Sequence, residues 1–187
     1  MTATDREVAM EDQVTLRPFR EQDLSYLERL GAEPSVTGPS IWAGFRDPHS
    51  RRRRWDKDGY IGADSSVLAV VVPDDTVAGI ASWEAKDRGG PVGGCFEIGL
   101  ALLPKYRGRG IGTAAQQLLV RHLFDYTLAH RLEAQTDTAN IAEQTVLERI
   151  GFRREGLLRG ARFRQGDWHD LVIYGLLRSE ATGVPGG

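Results

Sequence analysis

Between Leu103 and Phe124 the chain reads LPKYRGRGIGTAAQQLLVRHLF, with Gly108, Gly110 and Gly112 at alternate positions and Arg107 and Arg109 interleaved with them. The amides of a helix's first turn have no partner within the helix, and the aligned peptide dipoles concentrate partial positive charge there. Glycines lack the side chains that would hold a phosphate oxygen away from those amides, and the two guanidiniums add full positive charge. A diphosphate suits such a stretch. Two better-known phosphate loops are excluded by spacing. The dinucleotide fingerprint G-x-G-x-x-G begun at Gly108 requires glycine where Thr113 stands, and no G-K-[ST] follows for a Walker A loop.

The chain's 187 residues are 41% hydrophobic and 27% charged, the composition of one α/β domain with its own core. A formal net charge of -2 argues against a global pull toward nucleic acid. The one cysteine, Cys95, excludes an internal disulfide and a cysteine-cluster zinc site. The start MTATDREVAMEDQ is polar and acidic, and no run reaches the roughly 18 apolar residues of a membrane span. A cytoplasmic protein with no DNA or membrane partner is expected; a homodimer is left open.

The hydrophobic period switches repeatedly between two and 3.6. QVTLRPF (13–19) reads as a strand, and EQDLSYLERL (21–30) as a helix with Leu24, Leu27 and Leu30 on one face. Residues 31–45 form an irregular, glycine- and proline-rich segment of the kind used for lids and binding loops. Asp47 and Pro48 read as the cap and first position of a short helix running through Trp55. SVLAVVV and TVAGIASWEA are strands joined by a turn at Pro73–Asp75, and GCFEIGLALL (94–103) is a third. A helix from Gly110 carries apolar or small residues at 111, 114, 115, 118, 119, 122, 123 and 126. RLEAQT is a strand, ANIAEQTVLERI a helix stopped by Gly151, and FRREGLL and WHDLVIYGLL the closing strands. Residues 1–12 are expected to be a flexible N-terminus, 13–178 the domain, and 179–187 a disordered tail.

EIGLALLPKYRGRGIGT, followed by TDTAN and RIGFRREGLLR, resembles the GNAT superfamily of acetyl-CoA-dependent N-acetyltransferases. The family signature Arg/Gln-x-x-Gly-x-Gly/Ala is matched by Arg107, Gly110 and Gly112. The opening VTLRPFREQDL and the ending EGLLRGARFRQGDWHDLVIYGLL are similar to the branch that holds the ribosomal-protein N-terminal acetyltransferases. The resemblance covers residues 13–178 and is weakest over 31–65, where a substrate would differ. It implies a single-domain α/β (α+β) fold, a mixed, mostly antiparallel sheet of about seven strands with helices on both faces. It also implies acetyl-CoA as cosubstrate and no metal. The diphosphate would lie on the backbone of Arg107, Gly108, Arg109, Gly110, Ile111, Gly112 and Thr113, and the pantetheine arm would meet Leu102, Leu103 and Asn140.

Amide formation from a thioester requires that an ammonium lose a proton before its nitrogen attacks. Glu97, in the apolar strand CFEIGLALL, is the candidate base, its carboxylate expected to be raised toward neutrality by partial burial. Many relatives carry Glu at this E-I-G position; the plain alternative is a carboxylate paired with an arginine at a strand edge. The leaving thiolate departs from the family pattern. Leu147 stands where mainstream relatives have tyrosine and Glu143 where the ribosomal-protein branch often has serine, leaving Glu143 or water as the acid. Asn140 has a plain alternative too, as a helix cap.

Trp42, Phe45, Arg54 and Trp55 are candidate acceptor residues in the divergent segment. The run RRRRW at 51–55 sweeps about 300° of a helix and forms no single basic face. The four histidines show no metal spacing, and His122 reads as a core residue. The reading is transfer of acetyl from acetyl-CoA to a primary amine of a small molecule or a peptide N-terminus, directly in a ternary complex. The alternative is a non-catalytic acyl-CoA-binding regulatory module.

Overall fold

The first strand is cut short by its own sequence. In the computed structural model, which describes residues 13–33, 47 and 49–181, β1 spans only Thr15–Arg17 of the expected 13–19. Pro18 has no amide to continue a ladder, and Phe19 turns into the core at 4% exposure. A 3-10 turn at Glu21–Asp23 leads into α1, Leu24–Ala32. Asp23 ties this entry down: it accepts from the Arg20 amide at 2.8 Å and from Arg17 Nη1 at 2.7 Å. Leu24 and Leu27 are buried as their spacing predicts.

The helix α2 runs Ser50–Asp58, two residues later than expected at its start and three at its end. Asp47 still serves the start, through its carboxylate on the His49 amide (2.9 Å) and its carbonyl on the Ser50 amide (3.1 Å). The helix continues past Trp55 because Arg52–Asp56 and Arg54–Asp58 pair one turn apart, and Gly59, at φ 57, supplies the left-handed stop.

The strands β2 (Ser65–Val72), β3 (Thr76–Ala85), β4 (Cys95–Leu102) and β5 (Arg131–Asp137) fall where their sequences place them. Between β4 and β5 runs α3, Ile111–Tyr126, and α4, Ile141–Arg149, follows β5. The closing strands are β6 (Arg153–Arg164) and β7 (Asp167–Leu177), with α5 at Arg178–Ala181. The seven strands form one mixed sheet in the order β1-β2-β3-β4-β5-β7-β6. β4 and β5 pair in parallel, Glu97 opposite Glu133, while β1 with β2, β5 with β7 and β6 with β7 pair antiparallel. A crossover helix between neighbouring parallel strands is the α/β device.

Two boundaries differ from the sequence reading. β6 runs six residues beyond Leu158, to a two-residue turn at Gln165 and Gly166 with φ 53 and 85, the hairpin geometry that matches strand twist. Its RGARFR segment shows no alternation because it is exposed along nearly its whole length. Residues 178–181, where the tail was expected to begin at 179, form a helical turn. Arg178 binds the carbonyls of Ala129 (2.8 Å), Thr127 (2.9 Å) and Phe124, and Glu180 accepts from the Leu177 amide at 3.1 Å.

The described residues gather into two compact units, one from residues up to Ser82 with Leu100–Leu118, the other from Trp83–Gly99 with residues from Leu119 on. The first is built on Phe19, Leu24, Leu27, Tyr60, Ala69 and Val71. The second buries Leu119, Leu123, Leu132, Leu147, Tyr174 and Leu176.

The second unit also buries a carboxylate. Glu133, 3% exposed, receives Arg88 Nε and Nη2 at 3.0 and 2.6 Å and Arg131 Nε at 2.8 Å. The Arg88 hydrogen bonds, with Arg131 assisting against burial, hold its carboxyl down at about 2, from 4.5. A lowered folded-state value stabilises above the unfolded value and is lost as pH falls through the folded one. Glu133→Gln is therefore expected to cost about 3 kcal/mol in urea unfolding at neutral pH, since it removes the charge of a buried carboxylate that two partly exposed guanidiniums hold ionised. The gap to the parent should hold above pH 4.5 and close toward pH 2. A gap that does not change with pH would remove the ionic explanation.

Candidate active site

The glycine loop belongs to the first unit, and its three glycines have different reasons to be there. At the end of β4 the Leu103 amide donates to the Ala78 carbonyl at 2.9 Å, and Pro104–Tyr106 form a 3-10 turn. Arg107 Nε then donates back to the Leu102 carbonyl at 2.9 Å, closing the loop on its own strand. Gly108 and Gly110 take φ 68 and 81, which a side chain opposes, and a Cβ on Gly108 would meet nothing within 4 Å. Gly112 is a packing glycine: a Cβ there would come within 3.3 Å of Leu100 Cδ2 and 3.6 Å of Leu102 Cδ1.

The first amide of α3 with a backbone partner is that of Ala114, which donates to Gly110 at 3.1 Å. The amides of Ile111, Gly112 and Thr113 precede it and point out of the first turn, as helix geometry requires. Residues 107–110 are exposed. An open, left-handed backbone ahead of a 16-residue helix fits a diphosphate.

Glu97 lies in the second unit, its side chain 26% exposed. Lys86 Nζ stands 3.3 Å from its Oε2, and Gln135 Nε2 donates to the same oxygen at 3.2 Å. The apolar strand sequence had suggested an apolar environment; the neighbours are an ammonium and a carboxamide instead. Burial disfavours the Lys86 ammonium, yet the carboxylates of Glu97 and Glu84 outweigh it and hold Lys86 above its ordinary value. The two register-matched carboxylates thus have separate cations, Lys86 for Glu97 and Arg88 with Arg131 for Glu133, which relieves the repulsion between like charges on adjacent strands.

Asn140 caps α4. Its Oδ1 accepts from the Glu143 amide at 3.4 Å and its Nδ2 donates to Thr136 Oγ1 at 3.0 Å. Glu143 sits in the first turn of α4, where the helix dipole favours a carboxylate. Leu147 is fully buried, so the position of the relatives' tyrosine is filled by core packing. Cys95 is buried, and its thiol is pushed up by that burial and by Glu133.

The family model described as acetyltransferase (GNAT) domain matches residues 13–153. The chain belongs to the GNAT acetyltransferase family. It is an acyltransferase by that membership. It is 32% identical over 136 residues to the putative ribosomal N-acetyltransferase YdaF of Bacillus subtilis, covering 73% of this chain and 69% of that protein. With the spermidine N(1)-acetyltransferase of Escherichia coli it shares 26% over 161 residues, 85% of this chain and 83% of that one. Its fold is that of the spermidine N-acetyltransferase of Vibrio cholerae solved with CoA and spermine, with TM-score 0.77 and 17% identity over 92% of this chain and 99% of that one.

Among the residues singled out for the acceptor of this GNAT chain, Trp42 and Phe45 lie outside the described residues. Arg54 is used by the fold. Its Nε donates to Asp58 at 2.7 Å, its Nη2 to the Ser65 carbonyl at 2.6 Å, and it lies 5.9 Å above the Tyr60 ring. Trp55 packs against the core of the first unit. Arg52 and Arg53 pair with Glu21 and Asp47, which removes much of the free charge of the arginine run. His122 stacks between Trp83 and Tyr126, at 5.8 and 5.4 Å, and Tyr126, expected on the apolar stripe, is 79% exposed at the helix end.

Sequence reasoning missed Lys86 and Gln135. Lys86 is placed by a backbone bond to the Cys95 carbonyl at 2.9 Å, and Gln135 by the parallel register of β5 on β4. The one available signal was alternation in RLEAQT, which puts Glu133 and Gln135 on one side of the strand.

Proposed function

We propose that this enzyme acetylates the primary amine of a small molecule, with a peptide N-terminus as the other acceptor class, by direct transfer in a ternary complex. The observation that carries the reading is a single strand. β4 bears Glu97 near its start and runs out at Leu102 into the loop that opens α3. One strand thus carries the candidate proton acceptor and leads, along the chain, into the candidate diphosphate loop.

Arg107, Gly108, Arg109, Gly110, Ile111, Gly112 and Thr113 would hold the diphosphate of acetyl-CoA, and Leu102, Leu103 and Asn140 its pantetheine arm. When bound, acetyl-CoA supplies an activated acetyl thioester. Glu97 accepts the proton of the acceptor's ammonium, directly or through a water, which frees the nitrogen lone pair for attack. Lys86 and Gln135 fix the carboxylate that does so. Glu143 or water supplies the proton that the leaving thiolate needs. Cys95 takes no acetyl group: a buried thiol pushed up in pKa is a poor nucleophile. The single, buried cysteine suits the cytoplasm.

The names of the relatives divide between ribosomal and spermidine acceptors, so the decisive experiment is a thiol-release assay with acetyl-CoA across an amine panel. The panel spans polyamines, amino acids, anionic amines and peptides with free N-termini. Release dependent on at least one amine, with the acetylated product seen by mass spectrometry, is the expected result. Binding of acetyl-CoA without turnover of any member would replace the enzyme by the regulatory module.

A further inference from the structure

The end of β5 holds a buried charge that the proton-transfer scheme leaves unused. Asp137 is 5% exposed, and its two carboxylate oxygens serve different parts of the second unit. Oδ1 accepts from the Ala139 amide at 2.9 Å, and the Asp137 carbonyl accepts from the Asn140 amide at 2.9 Å, so the residue shapes the turn from β5 into α4. Oδ2 accepts from Arg164 Nη2 at 2.9 Å and stands 3.3 Å from His169 Nδ1, both of the β6–β7 hairpin. A turn alone needs only an acceptor, which asparagine or serine supplies without the cost of desolvating an ion. The charge at Asp137 answers to the hairpin instead. The backbone reinforces the link, because the Thr138 amide donates to the Asp170 carbonyl of β7 at 3.2 Å.

What this turn presents to solvent is Asn140. The residue is exposed, and one of its Nδ2 hydrogens goes to Thr136 Oγ1 at 3.0 Å, which leaves the other N–H without a partner among the described residues. An exposed amide donor of that kind suits the carbonyl of another amide, such as those along a pantetheine arm. Alternation also puts Asp137 on the same side of β5 as Gln135, which donates to Glu97 at 3.2 Å. One side of a strand thus supports both the candidate base and the candidate ligand of the arm.

We propose that Asp137 is a positioning residue for Asn140: by pinning the turn to the hairpin through Arg164 and His169, it fixes the carboxamide for the pantetheine arm of acyl-CoA. The inference rests on the assignment of Asn140 to that arm.

Calorimetric titration of the parent, Asn140→Ala, Asp137→Asn and the double variant tests this, with CoA as one ligand and phosphoadenosine diphosphate, which keeps the diphosphate and lacks the arm, as the other. Loss of one neutral hydrogen bond predicts about fivefold weaker binding of CoA to Asn140→Ala, with the truncated ligand unaffected. Asp137→Asn should show the same selectivity with a loss of about threefold, and in the Asn140→Ala background it should cost nothing further, because residues acting through one contact are not additive. A merely structural Asp137 would lower the melting temperature of Asp137→Asn while CoA affinity stays parental or both ligands weaken alike. Either result overturns the inference, and so does an additive double variant. Should Asp137→Asn fail to fold, Arg164→Met decides, since it releases the hairpin from a carboxylate that still holds the turn: a CoA-selective loss supports the inference, and parental CoA affinity overturns it. If Asn140→Ala binds CoA as tightly as the parent, the assignment of Asn140 falls and the inference with it, and that single titration reports the failure separately.

Discussion

Glu97→Gln is expected to lower kcat by about a hundredfold or more while leaving the affinity for acetyl-CoA nearly unchanged. Glutamine keeps the shape of the side chain and can still meet Gln135, but it cannot accept the ammonium's proton. Lys86, now 3.3 Å from Oε2, would face a neutral amide. The variant therefore also tests whether the pair is structural. If Glu97 only neutralises Lys86, the loss appears in the melting temperature and kcat is preserved. If Glu97 is the base, kcat falls at near-parental stability, because the Lys86 pair is partly exposed and contributes about 1 kcal/mol at most. A Lys86→Met variant sharpens the distinction: it should leave the base in place and reduce kcat by a smaller factor than the loss of the carboxylate itself. An unchanged kcat in Glu97→Gln would leave Glu97 a structural carboxylate and the base unassigned.

Gly110→Val is expected to abolish stabilisation by acetyl-CoA. At a hundredfold excess over its dissociation constant the ligand should stabilise the parent by about 2.7 kcal/mol, or about 5 to 10 °C in melting temperature for a domain of this size. Gly110 holds φ 81, a conformation that a β-branched residue resists, and its carbonyl accepts the first bond of α3 from Ala114. Valine there would rotate the loop and turn the amides of the first turn away from their guest. The residue is exposed, so the fold should survive with a lower ligand-free melting temperature. Gly112 provides the contrast. Its substitution fails through packing against Leu100 and Leu102, so a Gly112→Val variant should lose more stability than Gly110→Val. A folded Gly110→Val protein that acetyl-CoA stabilises as much as the parent would break the assignment of the diphosphate to this loop.

The sequence by itself determined the elements whose periodicity is driven by burial. β2 to β5, α3 and the helix ended by Gly151 could be read because their faces are buried against the core, and burial imposes a regular alternation of apolar residues. The glycine loop could be read for a related reason: left-handed backbone and close packing both demand glycine, and the demand leaves a visible spacing. Glu97 was legible as a lone charge in an apolar strand. What lay on exposed surface was not legible. The outer half of β6, open to solvent on an edge of the sheet, has no burial to impose a pattern, and only the Gln165-Gly166 turn marks it. The Arg178 anchorage of the last helical turn depends on carbonyls some fifty residues away in the chain.

Tertiary structure alone decided who meets whom. The parallel register of β4 on β5 sets Glu97 opposite Glu133 and thereby calls for separate cations, Lys86 for one and Arg88 with Arg131 for the other. Local sequence carries no record of such pairing, since an ion pair needs only proximity and any lysine or arginine in the chain satisfies its chemistry. The same holds for Arg54, which the sequence offers as an exposed cation for an acceptor and the fold spends on Asp58 and Ser65. It holds for Tyr26 as well. Its place on an amphipathic helix is legible, but only the packing of that helix decides that its hydroxyl ends buried without a hydrogen-bond partner. Periodicity reports which side of an element faces inward, whereas the identity of the partner across the gap is fixed by long-range register and crossover geometry, which a chain encodes only through its whole fold.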